Sequence, residues 1–327
     1  MLRAVAAALV CLAMLAGAPA NGAPPSFVIC RGMCDASAVV AVDTGRFLVA
    51  DDEDNILRLY SRERGGAPLQ TFNMSGFLRV SSKSPEADLE GAARVGDRIY
   101  WVTSHALNKN AKDRPNRRRF FATQIVSSNE IVRIEPVGRP YLNLLSDLIN
   151  EPRLRRFDLI AASRRAPKSG DALNIEALCA TPEGTLLIGF RNPIPDEQAL
   201  VVPLLNPDEL LSGGRARFGD PLLLDLGGLG VRSLTRSGND YWIMGGSFDG
   251  EGASHLFHWK GGADKPRRVE HAGLAGLNPE AIDPVIVNGA NRLLVVSDDG
   301  TLKIGGKDCK EVKNRELKYF RATTIEL

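Results

Sequence analysis

The chain has 327 residues, of which 44% are hydrophobic and 24% are charged. This is the composition of an ordinary globular protein, and it excludes a disordered tail protein, a collagen-like rod and a polytopic membrane protein. The formal net charge is only +2, from 41 Lys and Arg against 39 Asp and Glu, so nucleic acid is not an expected partner.

Residues 1–23 have the pattern of an export signal. Arg3 precedes an apolar stretch that ends in small residues, and we expect cleavage after Ala20 or Ala23. The apolar stretch is shorter than the ~20 residues that a membrane-spanning helix needs, so a permanent anchor is disfavoured. The sequence therefore predicts a periplasmic or secreted protein with no membrane span after cleavage, and a single mature domain over residues 24–327.

Four cysteines remain after the predicted cleavage: Cys30, Cys34, Cys179 and Cys309. An oxidising compartment favours disulfides, and four cysteines allow three pairings. We favour a bond from Cys30 or Cys34 to Cys309, because it would tie together the two ends of a closed structure. The C-x-x-x-C spacing has no second Cys or His pair, so a zinc site is disfavoured.

A repeated unit of about 50 residues runs through the chain, with one large insertion. In each unit a polar tetrad opens a short apolar strand, which turns at Gly, Asp or Asn and returns as a second apolar strand. The third tetrad residues are Ser37, Glu90, Glu176, Arg232 and Glu280. Four strands in a unit of this length are typical of a propeller blade. We predict an all-β propeller of about five four-stranded blades, with six as the alternative.

The returning strands are predicted at residues 47–50, 99–103, 186–190, 241–245 and 293–297. The last strand (residues 320–327) or the first (residues 27–30) would complete a blade and close the ring. Residues 108–171 form the predicted insertion. Apolar residues at helical spacing predict one helix there, from Pro140 to just before Pro152.

The tetrads predict a site at one mouth of the central channel. If they begin the innermost strands, Glu90, Glu176 and Glu280 converge there, surrounded by further polar residues. Those neighbours would be Asp35, His105, Arg191, Arg232 and Asp298. Converging carboxylates repel, and Ca²⁺, which takes six to eight oxygen ligands, would resolve the conflict. Glu90, Glu176, Glu280, Asp35 and Asp298 are the predicted metal ligands. The alternative is that the glutamates cap backbone N–H groups or pair with arginines.

A basic run from Lys109 to Arg119 leaves the second unit beside His105. Arginine forks bind phosphate or carboxylate at two points, so Arg117, Arg118 and Arg119 are candidate ligand-binding residues, together with Arg191 and Arg232. The alternative is a solvated loop paired with acidic neighbours. No stacking platform for nucleic acid accompanies the run, and no motif for an organic cofactor is evident.

Several of these segments resemble an uncharacterised secreted bacterial propeller family, the domain of unknown function 3616. They are Leu89-Glu90-Gly91-Ala92, Thr103-Ser104-His105 with the basic insertion that follows, Asn174-Ile175-Glu176-Ala177, Gly189-Phe190-Arg191-Asn192-Pro193 and Leu229-Gly230-Val231-Arg232-Ser233-Leu234. The resemblance spans essentially all of the mature chain. It implies a relation to phytase-like propellers with esterase-like activity, and hence ester or phosphoester hydrolysis at the channel mouth. Family membership supplies no catalytic residues to carry over.

Two functions follow as hypotheses. The first is a calcium-dependent hydrolase of anionic esters or phosphoesters, in which one of Glu90, Glu176, Glu280 or His105 moves the proton. The second is a non-catalytic propeller that binds a small anionic molecule or an envelope component. We expect a monomer in either case.

Overall fold

The computed structural model describes residues 27–128 and 131–327, so the predicted signal at residues 1–23 lies outside the described residues. In the described part, four-stranded antiparallel units follow one another along the chain as five blades. Their first strands contact each other in sequence, and the last contacts the first, which closes a ring around a central channel. The predicted five-bladed propeller is confirmed.

The chain enters the fold on β1 (Val28–Arg31). The first blade contains β2 (Ala36–Ala41), β3 (Arg46–Asp51), β4 (Ile56–Ser61) and β5 (Gly65–Asn73). The second contains β6 (Leu89–Val95), β7 (Arg98–Thr103), β8 (Phe120–Ser128) and β9 (Ile131–Tyr141). The third contains β10 (Asn174–Ala180), β11 (Leu186–Asn192), β12 (Ala199–Leu204) and β13 (Leu222–Leu224). The fourth contains β14 (Gly230–Ser237), β15 (Asp240–Gly246), β16 (His255–Trp259) and β17 (Arg267–Val269).

The fifth blade is assembled from both ends of the described chain. It contains β18 (Pro279–Val287) and β19 (Ala290–Ser297), and after the small hairpin of β20 (Lys303–Ile304) and β21 (Lys307–Asp308) it is completed by β22 (Tyr319–Glu326). Strand β1 pairs antiparallel with β22 as the fourth strand. The prediction offered either terminal strand as the closing element, and the fifth blade uses both.

The described helices are short: α1 (Ser75–Leu78), α2 (Leu144–Asn150), α3 (Leu159–Ala162) and α4 (Pro207–Leu211). The insertion predicted at residues 108–171 is smaller than expected, because β8 and β9 lie within it and complete the second blade. The predicted helix start at Pro140 is also wrong, since Pro140 and Tyr141 end β9. None of the described helices has the length and apolarity to cross a membrane.

Apolar side chains fill the interfaces between blades. In the described residues, five hydrophobic clusters each join two neighbouring blades, and one of them joins the fifth blade to the first. The inner strands are buried along most of their length, as the sequence Ala-Ser-Ala-Val-Val-Ala of β2 illustrates. Strands covered on both faces favour such continuous small and β-branched sequences.

A disulfide joins Cys34 to Cys309, with 6.1 Å between the Cα atoms. It connects the start of the first blade to the segment that precedes β22, so it ties the two ends of the closed ring, as predicted. Cys30 and Cys179 are buried and free.

The blade interface next to the channel is tight at Gly91. A Cβ atom on Gly91 would lie 2.9 Å from the backbone of Ala177 and Leu178 in the neighbouring blade. We expect Gly91→Ala to lower the free energy of unfolding by about 1–3 kcal/mol, because backbone atoms cannot move aside without separating two blades. Urea unfolding would measure the change. Gly76→Ala is the matched control, since a Cβ there meets no atom within 4 Å; equal effects of the two substitutions would contradict the tight interface.

Candidate functional site

Each inner strand carries a β-bulge at the third tetrad residue. In β6, Leu89 pairs with Thr103 and Gly91 pairs with Val102, which leaves Glu90 as the extra residue. The same register shift occurs in the other described inner strands at Ser37, Glu176, Arg232 and Glu280. A bulge redirects the extra side chain and often lies beside a binding site. Here the bulges bring residues that are distant in sequence to one mouth of the channel.

That mouth is a cavity of about 230 Å³. Its titratable lining residues are Asp35, Asp52, Glu53, Glu90, Lys168, Glu176, Arg191, Arg232, Glu280, Asp298 and Lys310. Among the described residues the lining therefore carries seven carboxyl groups and four cationic groups. The three predicted glutamates, the two flanking aspartates and two of the predicted arginines all line it.

One side of the cavity is an ion-pair network. Glu176 accepts a hydrogen bond from Nη1 of Arg191 at 2.6 Å and another from the amide of Asn174 at 2.9 Å. Arg232 lies between two carboxylates, with Nε 3.6 Å from Glu176 Oε2 and Nη2 2.9 Å from Glu280 Oε2. Both arginines are thus neutralised by glutamates, as the alternative interpretation of the sequence allowed.

Beside this network lies a group of acids from the first two blades, of which Asp35, Asp52 and Glu90 line the cavity. Carboxylate oxygens of Asp52, Asp88 and Glu90 lie within 4.8 Å of one another, and so do those of Asp35, Asp51 and Asp52. We call these five residues the acidic cluster.

Only two members of the acidic cluster have arginine partners. Asp88 lies 2.8 Å from Arg117, and Asp51 lies 3.9 Å from Arg58. In the described part of the chain, no Lys or Arg forms an ion pair with Asp35, Asp52 or Glu90. The cluster is therefore under-compensated.

Burial and mutual repulsion raise the pKa values of these carboxyl groups. Burial is the larger cause for Glu90, and repulsion from Asp88 and Glu176 adds to it, so that its pKa lies well above the usual range. The pKa of Asp52 rises for the same reasons, with Glu90 as its principal neighbour. Burial and then the charge of Asp298 raise the pKa of Asp35 to about 7. Without a cation, the cluster holds protons at neutral pH.

At this mouth, Asp52 and Ser37 each have a side-chain oxygen with no hydrogen-bond partner among the described residues. Oδ1 of Asp52 is buried without one. The hydroxyl of Ser37, on the bulge of β2, is also unpartnered, and the residue is only 4% exposed. Both residues line the cavity. An unsatisfied buried oxygen beside carboxylates without cationic partners is typical of a site that binds a cation.

His105 and Arg117 to Arg119 do not line this cavity. His105 is buried, its Nδ1 donates to the carbonyl of Thr103 at 2.7 Å, and burial lowers its pKa to about 4. Arg117 pairs with Glu86 and Asp88, and Arg118 pairs with Asp113. Arg119 is buried and donates to the carbonyls of Leu78 and Pro115. Among these predicted residues, Arg117 alone contacts the acidic cluster.

Some site residues were missing from the predicted ligand set. Asp52 follows the first returning strand and Asp88 opens the second tetrad. Both positions recur in the repeated unit, so both could have been identified from the sequence. Lys168 lies in a turn and Lys310 in a short 3-10 helix, both outside the repeat, so the repeat did not indicate them.

A family model described as a protein of unknown function, DUF3616, matches residues 35–129 and 141–277. The chain belongs to this family. The match includes the inner strands of the first four blades and ends just before β18. A comparison with proteins of curated function found no match.

Solved propeller-like structures are similar only at low identity. A mutant sialidase of Trypanosoma rangeli is 10% identical, with a TM-score of 0.44 over 84% of this chain and 44% of the sialidase. The PQQ-bound aldose sugar dehydrogenase of Streptomyces coelicolor is 11% identical, with a TM-score of 0.43 over 92% and 99% of the two chains. The allergen Mala s 1 of Malassezia sympodialis is 10% identical, with a TM-score of 0.48 over 92% of each chain.

The raised pKa of Asp35 predicts a pH-dependent stability. Between its unfolded value near 4 and its folded value of about 7, the folded state holds a proton that the unfolded state has released. Folding stability from this group is therefore lost as pH rises through that window. We expect Asp35→Asn to gain stability over the wild type between pH 5 and pH 8, by at most about 1.4 kcal/mol per pH unit.

Urea unfolding of both proteins in chelator, at several pH values, would measure this difference. Comparing the two proteins cancels the contribution of other titrating groups. A difference that stays constant with pH, or that shrinks as pH rises, would contradict the assignment.

Proposed function

We propose that the protein is an exported propeller whose channel mouth binds Ca²⁺ at the acidic cluster and, through it, a small anionic ligand. The observation that carries the proposal is the approach of Asp52, Asp88 and Glu90 to within ligand distance of one another. Two of these carboxylates have no cationic partner in the described chain, and the buried Asp52 oxygen and Ser37 hydroxyl are unsatisfied beside them. A bound cation would both neutralise the unpaired carboxylates and give the unsatisfied oxygens a partner.

The charge balance favours a cation over an anion as the primary ligand. The five arginines that the sequence offered as an anion clamp already have protein partners. Arg191 and Arg232 pair with glutamates, Arg117 and Arg118 pair with other acids, and Arg119 donates to backbone carbonyls. An anion would have to displace those partners, whereas a cation meets carboxylates that repel one another.

The donor set suits calcium. It consists of carboxylate and hydroxyl oxygens, which hard cations prefer, and the described cluster contains no His or Cys for zinc. Five carboxylates on two blades can supply the six to eight ligands that Ca²⁺ takes with fewer bound waters than Mg²⁺ retains.

Lys168 and Lys310 support the anionic ligand. Both line the same cavity, and neither forms an ion pair with a carboxylate in the described residues. An anionic group bound to Ca²⁺ could therefore contact lysines rather than the arginines that the sequence suggested. In the described residues these two ammonium groups form no ion pair, whereas Arg191 and Arg232 are held by glutamates.

A second candidate function is hydrolysis of an ester or phosphoester bond of that ligand. It rests on Asp35, whose carboxyl faces Asp298 across an isolated β-bridge and has a pKa of about 7. A carboxyl with a pKa near the working pH is suited to donate and accept a proton. Asp35 replaces His105 as the candidate proton carrier, because His105 lies outside the cavity.

The proposed location is periplasmic or secreted. The Cys34–Cys309 disulfide supports it, since such bonds persist in oxidising compartments. A monomeric state and an envelope component as partner stay predictions.

The test compares the wild type with Glu90→Gln by thermal unfolding at pH 8, with chelator and with millimolar Ca²⁺. We expect Ca²⁺ to raise the Tm of the wild type, because a ligand at about 100 times its Kd stabilises by about 2.7 kcal/mol. Glu90→Gln should have a higher Tm than the wild type in chelator, since repulsion is relieved, and should lose most of the Ca²⁺ response. Glu135→Gln, an exposed acid of the same blade, should behave as the wild type.

A wild-type Tm that Ca²⁺ leaves unchanged, or an equal response in Glu90→Gln, would refute the calcium site. The same proteins assayed on aryl ester and phosphoester substrates separate the two candidate functions. Turnover that Asp35→Asn abolishes while Ca²⁺ still raises the Tm supports the hydrolase, and binding without turnover supports the binding propeller.

A further inference from the structure

The opposite mouth of the channel holds a second cavity, of about 290 Å³. It is lined by the far ends of the same inner strands, four residues beyond each bulge: Ala41, Arg94, Ala180, Arg236 and Pro284. The two cavities share no lining residue. The first mouth is lined by acids at the bulges. The second mouth is lined by two arginines, each four residues beyond a bulge.

These two arginines are fixed by carbonyl groups instead of carboxylates. Arg94 donates from Nη1 to the carbonyls of Ala41 and Val42 at 2.7 and 2.8 Å, and from Nε to Gly96 at 2.7 Å. Its nearest carboxylate, Asp97, is 3.9 Å away and largely exposed.

Arg236 is held in the same way. It donates from Nε to the carbonyl of Ala180 at 3.3 Å and from Nη1 to that of Gly238. In the described residues it forms no ion pair, and Nη2 of each guanidinium has no hydrogen-bond acceptor. Carbonyl partners orient both arginines. In the described residues the charge of Arg236 has no ion-pair partner, and that of Arg94 has only the exposed Asp97 at 3.9 Å.

Asp283 is the one carboxylate among the described lining residues. Its carboxylate already has hydrogen-bond partners within the protein: it accepts from the backbone N–H of Ala41 at 2.7 Å and from the hydroxyl of Thr235 at 3.3 Å. Cys179, the other titratable lining group, stays a neutral thiol because burial raises its pKa. The cavity therefore carries net positive charge.

We propose that this second mouth binds a small oxyanion between Arg94 and Arg236. Two guanidinium groups aligned by backbone carbonyls, whose Nη2 atoms donate no hydrogen bond in the described residues, match the two-point recognition of a carboxylate, sulfate or phosphate group. A cavity of this volume accommodates an inorganic oxyanion or a short dicarboxylate. The site is independent of the calcium site, because it lies at the other end of the strands and uses none of the same residues.

Asp283 gives the site a distinctive pH dependence. Burial raises the pKa of Asp283 to about 7, against the opposing charge of Arg94. Around it the lining offers Arg94, Arg236 and Cys179 as charged or titratable groups, with Asp97 beyond Arg94. Oxyanion binding should weaken as pH rises through 7, because the ionised Asp283 then repels the ligand.

The experiment is calorimetric titration of the full chain with sulfate and, separately, with succinate, at constant ionic strength. Both probes keep a fixed charge between pH 6.5 and 8. Arg236→Met preserves the apolar stem and should weaken binding about 10- to 100-fold, the effect of losing hydrogen bonds to a charged group. Asp283→Asn should bind more tightly than the wild type at pH 8 and remove the pH dependence.

Arg94→Met serves as a second variant if Arg236→Met fails to fold, and Glu90→Gln should leave oxyanion binding unchanged. Preference for sulfate would assign a tetrahedral ligand, and preference for succinate a carboxylate. Two results would overturn the proposal, whatever the outcome at the calcium site. One is wild-type affinity in both arginine variants, and the other is that neither probe binds saturably to the wild type at pH 6.5.

Discussion

Repulsion between buried carboxylates at one mouth of the channel is the constraint on which this structure depends. The closed ring places Asp52, Asp88 and Glu90 within 4.8 Å of one another, and burial removes the water that would screen them. The fold relieves the repulsion partly with Arg117, which pairs with Asp88, and partly through the raised pKa values of Asp52 and Glu90, which favour protonated carboxyl groups. The carboxylates that have no cationic partner define the proposed site. The ring positions them, and a bound cation would neutralise their charge.

The bulges place one polar side chain of each repeat at the proposed site. A regular inner strand would direct alternate side chains into the tightly packed blade interfaces, where a charged group is costly. One extra residue per strand instead presents Glu90, Glu176 and Glu280 to the channel without disturbing the apolar register on either side. The same strands reach the opposite mouth four residues later, where Arg94 and Arg236 lie. The two proposed sites, one for a cation and one for an anion, therefore lie on the same repeated strands.

The sequence predicted the fold better than the site. Spacing of the tetrads identified the blades, and the returning strand predicted at residues 99–103 lies within β7 (Arg98–Thr103). Strands β8 and β9 were mistaken for an insertion, because prolines and glycine in β9 interrupt its alternation, and Tyr141 extended an apparent helical period into the strand. The repeat predicted which acids converge. Pairing of the glutamates with arginines was one of the alternatives that the sequence left open. The particular pairing of Arg232 with Glu280 could not be predicted, since it joins different blades and depends on side-chain positions.

The most direct measurement of the central claim is the number of protons released when Ca²⁺ binds. Calorimetric titrations of the wild type with Ca²⁺ at pH 6.5, in buffers of different ionisation enthalpy, would provide it. Carboxyl groups whose pKa values are raised by mutual repulsion must lose protons to coordinate a cation, so the account predicts the release of about one proton or more per ion, falling as pH rises toward 8. Binding with no proton release, or no binding at all, would contradict it.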